Sequence, residues 1–247
     1  MGMFSPQGPS LRELAIQALA SVEGGYDLLA PKFDHTPFRT PDVVLDATAG
    51  ALRPLGPFGR GLDVCCGTAA GLRVLESVCQ GPITGVDFST GMLAQARRAY
   101  PDATWVRADV RALPFAGDFD VAVSFGALGH FLPAERSALF AGVYRALRPG
   151  GVFALPVGAE PPVTSGLYWA LLGFDLAMRV RNAVWRPPFV MYYRTCPPHA
   201  LRDDLAASGF TVTTAPLPAL GTRADGNPRC WLVLARRPAV PARKDRD

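Results

Sequence analysis

The chain has 247 residues, 49% of them hydrophobic and 19% charged, an ordinary globular composition with enough apolar material for a sizeable core. Its formal charge of +4 comes from 25 basic and 21 acidic residues spread along the chain, which argues against the clustered basic footprint of a nucleic-acid binder. Five cysteines show no Cys-x-x-Cys spacing and three histidines stand far apart, so neither a disulfide scaffold nor a metal site is expected.

The first ten residues, MGMFSPQGPS, lack the basic and apolar regions of a signal peptide, and Pro6 breaks the myristoylation pattern. The longest apolar run, Gly166 to Met178, is interrupted by Asp175 and is too short to span a bilayer. A soluble, cytoplasmic monomer or homodimer is expected, with no stable membrane insertion.

Ser10 to Glu13 forms a capping box ahead of Leu11, Leu14, Ala15 and Ala18, which predicts an amphipathic helix ended by Gly24-Gly25. Two aromatic-Asp dipeptides follow, Tyr26-Asp27 and Phe33-Asp34. A second helix is expected from Thr40 to Leu52, and Pro54 to Gly59 turns the chain into its first core strand.

The stretch from Gly61 to Gly71 reads GLDVCCGTAAG. A short apolar run with one carboxylate, a small-residue turn and helical apolar spacing from Leu72 predict a buried strand, a tight turn and a helix. Ile83 to Asp87 reads as a second strand ending in a carboxylate, with Ser89 capping a helix that carries Met92, Leu93 and Ala96. Thr104 to Arg107 is a third strand, leading into Asp109-Val110. Phe119 to Phe125 is a fourth. Pro133 opens a helix stopped by Arg148 to Gly151, and Val152 to Val157 is a fifth strand. The alternation is lost from Pro161 to Pro198. It returns with a helix from Pro198 to Ser208 and strands at Phe210 to Leu217 and Cys230 to Ala235. This rhythm predicts an α/β fold: a doubly wound, mostly parallel seven-stranded sheet with an insertion after the fifth strand. It divides the single domain into a helical cap over 1–57, a core over 58–160, the insertion over 161–198, a return to the core over 199–238 and a disordered tail over 239–247.

From about residue 58 to 157 the motifs resemble those of the class I S-adenosylmethionine (SAM)-dependent methyltransferases. The first motif of that family is an apolar strand, an acid and a Gly-x-Gly-x-Gly loop. Asp63 and Gly67 match it, while Cys65 and Ala69 stand at the first and third loop glycines. Cys-Cys-Gly also occurs in quinone-modifying members. The resemblance implies SAM as cofactor. It has Asp87 accept from both ribose hydroxyls, Asp109 and the Val110 backbone meet the adenine, and Phe88 and Met92 sandwich it. Asp63, Cys65, Gly67 and Thr68 would border the methionine end, Ser124 would line the site, and Tyr26 would fold over the cofactor. His130, in the segment Ser124 to His130, is the one plausible base, set against a structural histidine bonded to backbone. An NAD oxidoreductase also wants an acid at the end of its second strand. The stretch Cys65 to Ala70 holds only one glycine, however, and Asp63 would add negative charge beside a diphosphate. A SAM-binding protein without catalysis is a further alternative.

The implied acceptor is a small, apolar or aromatic molecule such as a quinol or phenol. In the insertion, Thr164 or Ser165 caps a helix apolar almost all round, from Leu167 to Met178. Arg179, Arg181 and Arg186 follow, then Phe189, Met191, Tyr192 and Tyr193. Such a helix must be buried or meet something apolar, which predicts a substrate lid or peripheral membrane contact, with a dimer interface or added core as the alternative.

Overall fold

The protein was analysed as a computed structural model, which describes residues 6–184 and 197–239. The features expected at Arg186, Phe189, Met191, Tyr192 and Tyr193, and most of the 239–247 tail, lie outside the described residues.

Seven strands form one sheet: β1 Gly61–Val64, β2 Ile83–Asp87, β3 Thr104–Arg107, β4 Phe119–Val123, β5 Leu147–Gly158, β6 Thr211–Pro216 and β7 Cys230–Arg236. Their order is β3-β2-β1-β4-β5-β7-β6. The first five pair in parallel, and β7 runs antiparallel between β5 and β6. The helices are α1 Leu11–Leu19, α2 Val22–Leu29, α3 Asp42–Leu52, α4 Leu72–Val78, α5 Thr90–Ala99, α6 Pro133–Ala146, α7 Gly166–Val184 and α8 Pro198–Ala207.

Strand alternation sorts the core into two layers. Along β4 and β5, Ala122, Phe153 and Leu155 face one side of the sheet, with Leu139, Phe140 and Val143 of α6 and Leu201 and Leu205 of α8. Val121, Val123, Val152 and Ala154 face the other, with Leu45 and Leu52 of α3 and Val74, Leu75 and Val78 of α4. Because both faces are covered, the central strands read as short apolar runs rather than alternating ones. The strand order reverses between β1 and β4, so a crevice opens at the carboxyl ends of these two strands.

Four sequence expectations need correction. Gly24-Gly25 does not end the first helix. That helix stops at Leu19, and Ser21 caps a new one by accepting from the Gly24 amide, so both glycines lie inside α2. The expected apolar face of α1 is not buried: Leu11 and Ala15 are exposed and Leu14 only half-buried. The next helix begins at Asp42 rather than Thr40, because Pro41 takes the cap position. Residues 148–151 stop α6 but also join β5, through a register shift between the Phe119 and Val121 pairings.

Candidate active site

The loop after β1 makes the floor of the crevice. Cys65, Gly67 and Ala69 all adopt positive φ, at 57°, 52° and 78°. Two of the three are not glycine, so the chain holds a left-handed backbone against the usual steric cost of a Cβ there. Small side chains at 65 and 69 keep that cost low. A Cβ at Gly67 would meet nothing within 4 Å, so the open side of the loop faces the crevice.

Asp63 lies on β1 facing the loop and is 1% exposed. Gly71 lets the chain pass close over it: a Cβ there would stand 2.5 Å from Asp63 Oδ2. Burial, and then the charge of Asp87, hold the Asp63 carboxyl well above the usual carboxylate range, and a backbone hydrogen bond at Gly71 offsets this only in part. Asp63 Oδ2 is buried without a hydrogen-bond partner. Asp87, at the end of β2, accepts from the Gly67 and Ser89 amides at 2.9 Å each. Burial raises its carboxyl and these amides lower it. Burial, followed by the carboxylates nearby, pushes the Cys65 and Cys66 thiols up, so neither is poised as a thiolate nucleophile.

Two aspartates that the sequence reading quoted without giving them a role tie the N-terminal segment to this floor. Asp27 Oδ1 accepts from Ser89 Oγ at 2.6 Å and from the Gly91 amide at 2.8 Å, at the start of α5. Asp34 Oδ1 accepts from Thr68 Oγ1 at 2.6 Å. Glu23 pairs with Arg107 at the end of β3. Their signal was the repeated aromatic-Asp dipeptide; what the sequence hid was the partner, 62 positions away for Asp27 and 34 for Asp34. Tyr26, in the same segment, meets His130 from the 3-10 turn after β4, with Oη 2.7 Å from Nε2 and the rings edge-on at 5.2 Å.

The remaining candidates divide. Ser124 is buried at the end of β4 beside the crevice. Asp109 follows β3, but its carboxylate is bound by the Arg111 amide and guanidinium, which hold it below the usual range. The Val110 side chain belongs to the core. Phe88 is half-buried, whereas Met92 is 1% exposed within α5. A separate cleft of about 600 Å³ between α3 and the connection after β6, lined by Val43, Ala47, Gly50, Ala51 and Leu217, includes none of these residues.

Comparison with known proteins adds to this picture. Residues 62–151 match the family model for a methyltransferase domain. The chain is 39% identical over 195 residues to a demethylmenaquinone methyltransferase of Parafrankia, covering 67% of this chain and 74% of that one. It is 36% identical over 162 residues to a trans-aconitate 2-methyltransferase of Azoarcus, covering 62% of this chain but only 61% of the relative. For other curated relatives the matched share falls to about half of their length. Among solved structures, the DhpI-SAH complex superposes with a TM-score of 0.64 at 18% identity over 93% of this chain and 99% of that one, a likeness of fold.

Proposed function

The chain belongs to the class I SAM-dependent methyltransferases, and from that membership we propose that it transfers the SAM methyl group to a small apolar acceptor whose nucleophile carries a proton. The observation that carries this reading is the lone acceptor Asp63 Oδ2, buried without a partner beside a loop whose open side faces the crevice. An orphaned buried carboxylate oxygen fits a cationic ligand, and SAM has an ammonium and a sulfonium. The cofactor supplies an activated methyl on a sulfonium leaving group.

The residues then divide the work. Asp63, with the Cys65, Gly67 and Thr68 backbone, would hold the methionine end. Asp87 accepts from the Gly67 amide through Oδ2 and from the Ser89 amide through Oδ1, and as a carboxylate it has lone pairs left for ribose hydroxyls. Phe88, Asp109 and the Val110 backbone would border the adenine, with Asp109 already held by Arg111. Tyr26 and Ser124 would close the crevice against water, so that orientation and desolvation carry most of the rate. His130 is the base for an acceptor that must lose its proton first.

The acceptor side would be α7, which leaves β5 at the crevice end of the sheet. Ser165 caps it through the Tyr168 amide, and Trp169, Leu176 and Val180 are exposed along one side. No helix among the described residues is long and apolar enough to cross a membrane. An apolar outer side of this kind suits a quinol or phenol, or a membrane surface that presents one.

Calorimetric titration tests the cofactor. Wild type binds SAM and not NAD. Asp87→Ala weakens SAM by roughly ten- to a hundredfold, the cost of leaving polar groups unpaired in a buried site. Binding of NAD in place of SAM would refute the reading. A SAM-consumption screen over quinols, phenols, amines and carboxylic acids, read by mass spectrometry, then identifies the acceptor atom.

A further inference from the structure

One polar contact between the cap and the turn after β4 joins two residues expected to serve different tasks. Tyr26 sits on α2, in the N-terminal cap, and His130 on the turn after β4, 104 positions away. The 2.7 Å separation of Oη and Nε2 is a full hydrogen bond, and both side chains remain partly exposed toward the crevice. Phe33 flanks the tyrosine ring at 6.1 Å, and the Asp27 and Asp34 bonds fix the segment that follows Tyr26.

We propose that Tyr26 is a catalytic proton relay between the methyl acceptor and His130. It rests on the methyl-transfer reading above and deepens it. If Nε2 were a direct base, the tyrosine would have to leave its lone pair. With the tyrosine hydroxyl donating to Nε2, the neutral imidazole carries its own proton on Nδ1, and Oη can in turn accept a proton from the methyl acceptor. The acceptor's O–H bond then breaks as its proton bonds to Oη, and the tyrosine O–H bond breaks as that proton bonds to Nε2. Tyr26 ends neutral, His130 ends as imidazolium, and the acceptor oxygen keeps the electron pair with which it attacks the methyl. The imidazolium returns its proton to solvent after transfer. No oxidant or further reactant is needed.

One half of the base therefore belongs to the cap and the other half to the core. The acceptor is deprotonated only when α2 is seated on α5, the position in which the cap also covers the cofactor. The acceptor class follows: nucleophiles with a proton to lose, such as phenols and hydroquinones, gain most from the pair, and nucleophiles without one gain little.

The test is Tyr26→Phe, which keeps the ring edge against His130 and removes only the hydroxyl. Across a series of phenols with pKa from about 10 downward, turnover of the variant falls by about 10²-fold for the least acidic, the usual scale of general base catalysis. The deficit shrinks as acceptor acidity rises, while SAM affinity by calorimetry stays within about twofold. Equal turnover by wild type and variant on the least acidic phenols, or a deficit independent of acceptor pKa, overturns the relay. A second measurement needs no acceptor. Only three histidines occur in the chain, at 35, 130 and 199, so nitrogen-15 spectra resolve His130, assigned by loss of its signals in His130→Gln. Wild type shows the Nδ1–H tautomer with Nε2 as acceptor, and Tyr26→Phe shows a mixture of tautomers. A wild-type Nε2 that carries the proton overturns the proposal even if SAM binds normally. Absence of SAM binding would instead strike the methyl-transfer reading on which it rests.

Discussion

Gly71 is the residue on which the Asp63 site depends most directly. Its backbone conformation is ordinary, with φ −71°, so its requirement is space rather than freedom. An added methyl would overlap both carboxylate oxygens, at 2.5 and 2.6 Å. Gly71→Ala is therefore expected to displace Asp63, to cost about 1–3 kcal/mol in urea unfolding as an overpacking change and to weaken SAM binding. Ala69→Gly, which removes a Cβ from a strained left-handed residue, should leave stability level or slightly higher, since relief of strain and the greater freedom of the unfolded glycine roughly cancel. Asp63 also carries a pH signature opposite to that of a salt-bridged aspartate. Its folded carboxyl is raised above the ordinary value of 3.8, so the folded chain binds the proton more tightly than the unfolded one. Its contribution to stability is present at low pH and lost as pH rises from 3.8 through the raised value. Asp63→Asn should then raise the neutral-pH Tm of the cofactor-free protein while lowering SAM affinity. SAM binding, which favours the carboxylate, should release a proton below the raised value; calorimetry in buffers of different ionisation enthalpy reads that proton.

At the level of the element, α5 takes its N-terminal partner from elsewhere in the chain. Ser89 caps it locally by accepting from the Met92 amide, and Asp27 supplies a negative charge to the same end from α2. Gly91 makes the approach possible, since a Cβ there would lie 2.9 Å from the Asp27 backbone. Gly91→Ala is expected to unseat the cap and leave the sheet intact. Hydrogen exchange should speed up across residues 22–35 and hold in β1, β4 and β5, with SAM bound more weakly. Protection unchanged in 22–35 would show that the cap does not depend on this approach. The core elements were legible because β1, β2, β4 and β5 carry short apolar runs, and Ser10, Ser89 and Pro133 mark helix starts by known chemistry. The break at Leu19 was not legible, because Ser21 is an ordinary cap and the glycines behind it signal a stop. Nor was the burial of Met92, since helical spacing does not tell a ligand-facing position from a packed one.

Taken whole, the molecule holds α3 of its cap through the shared core, with Leu45 and Leu52 fully buried, and ties the segment before it, residues 10–35, to the core by polar contacts beside the buried Leu29 and Ala30. Among the described residues, α1 leaves Leu11, Ile16 and Leu19 exposed, while Glu23, Asp27 and Asp34 reach the core through hydrogen bonds and an ion pair. Exposed pairs such as Glu23–Arg107 contribute little each, so the segment over residues 10–35 is the part of the structure expected to open at the lowest cost. The sheet is the reverse case. Strand β7 is buried along most of its length and bonded on both sides, to β5 and β6. A chain ending at Pro228 retains every candidate site residue from Tyr26 to His130. It should nevertheless fail to fold cooperatively and fail to bind SAM. A truncated chain that binds SAM normally would show that the first five strands stand alone.

The position of β7 also orders events in time. The chain is made from its amino end, and β6 leaves the ribosome before the strand that must lie between it and β5. Until β7 has been synthesised, β5 and β6 each present an unpaired edge, the kind of surface that recruits neighbouring chains. A nascent chain stalled within that window is the species that chaperones would most need to shield, although its crevice residues are already made.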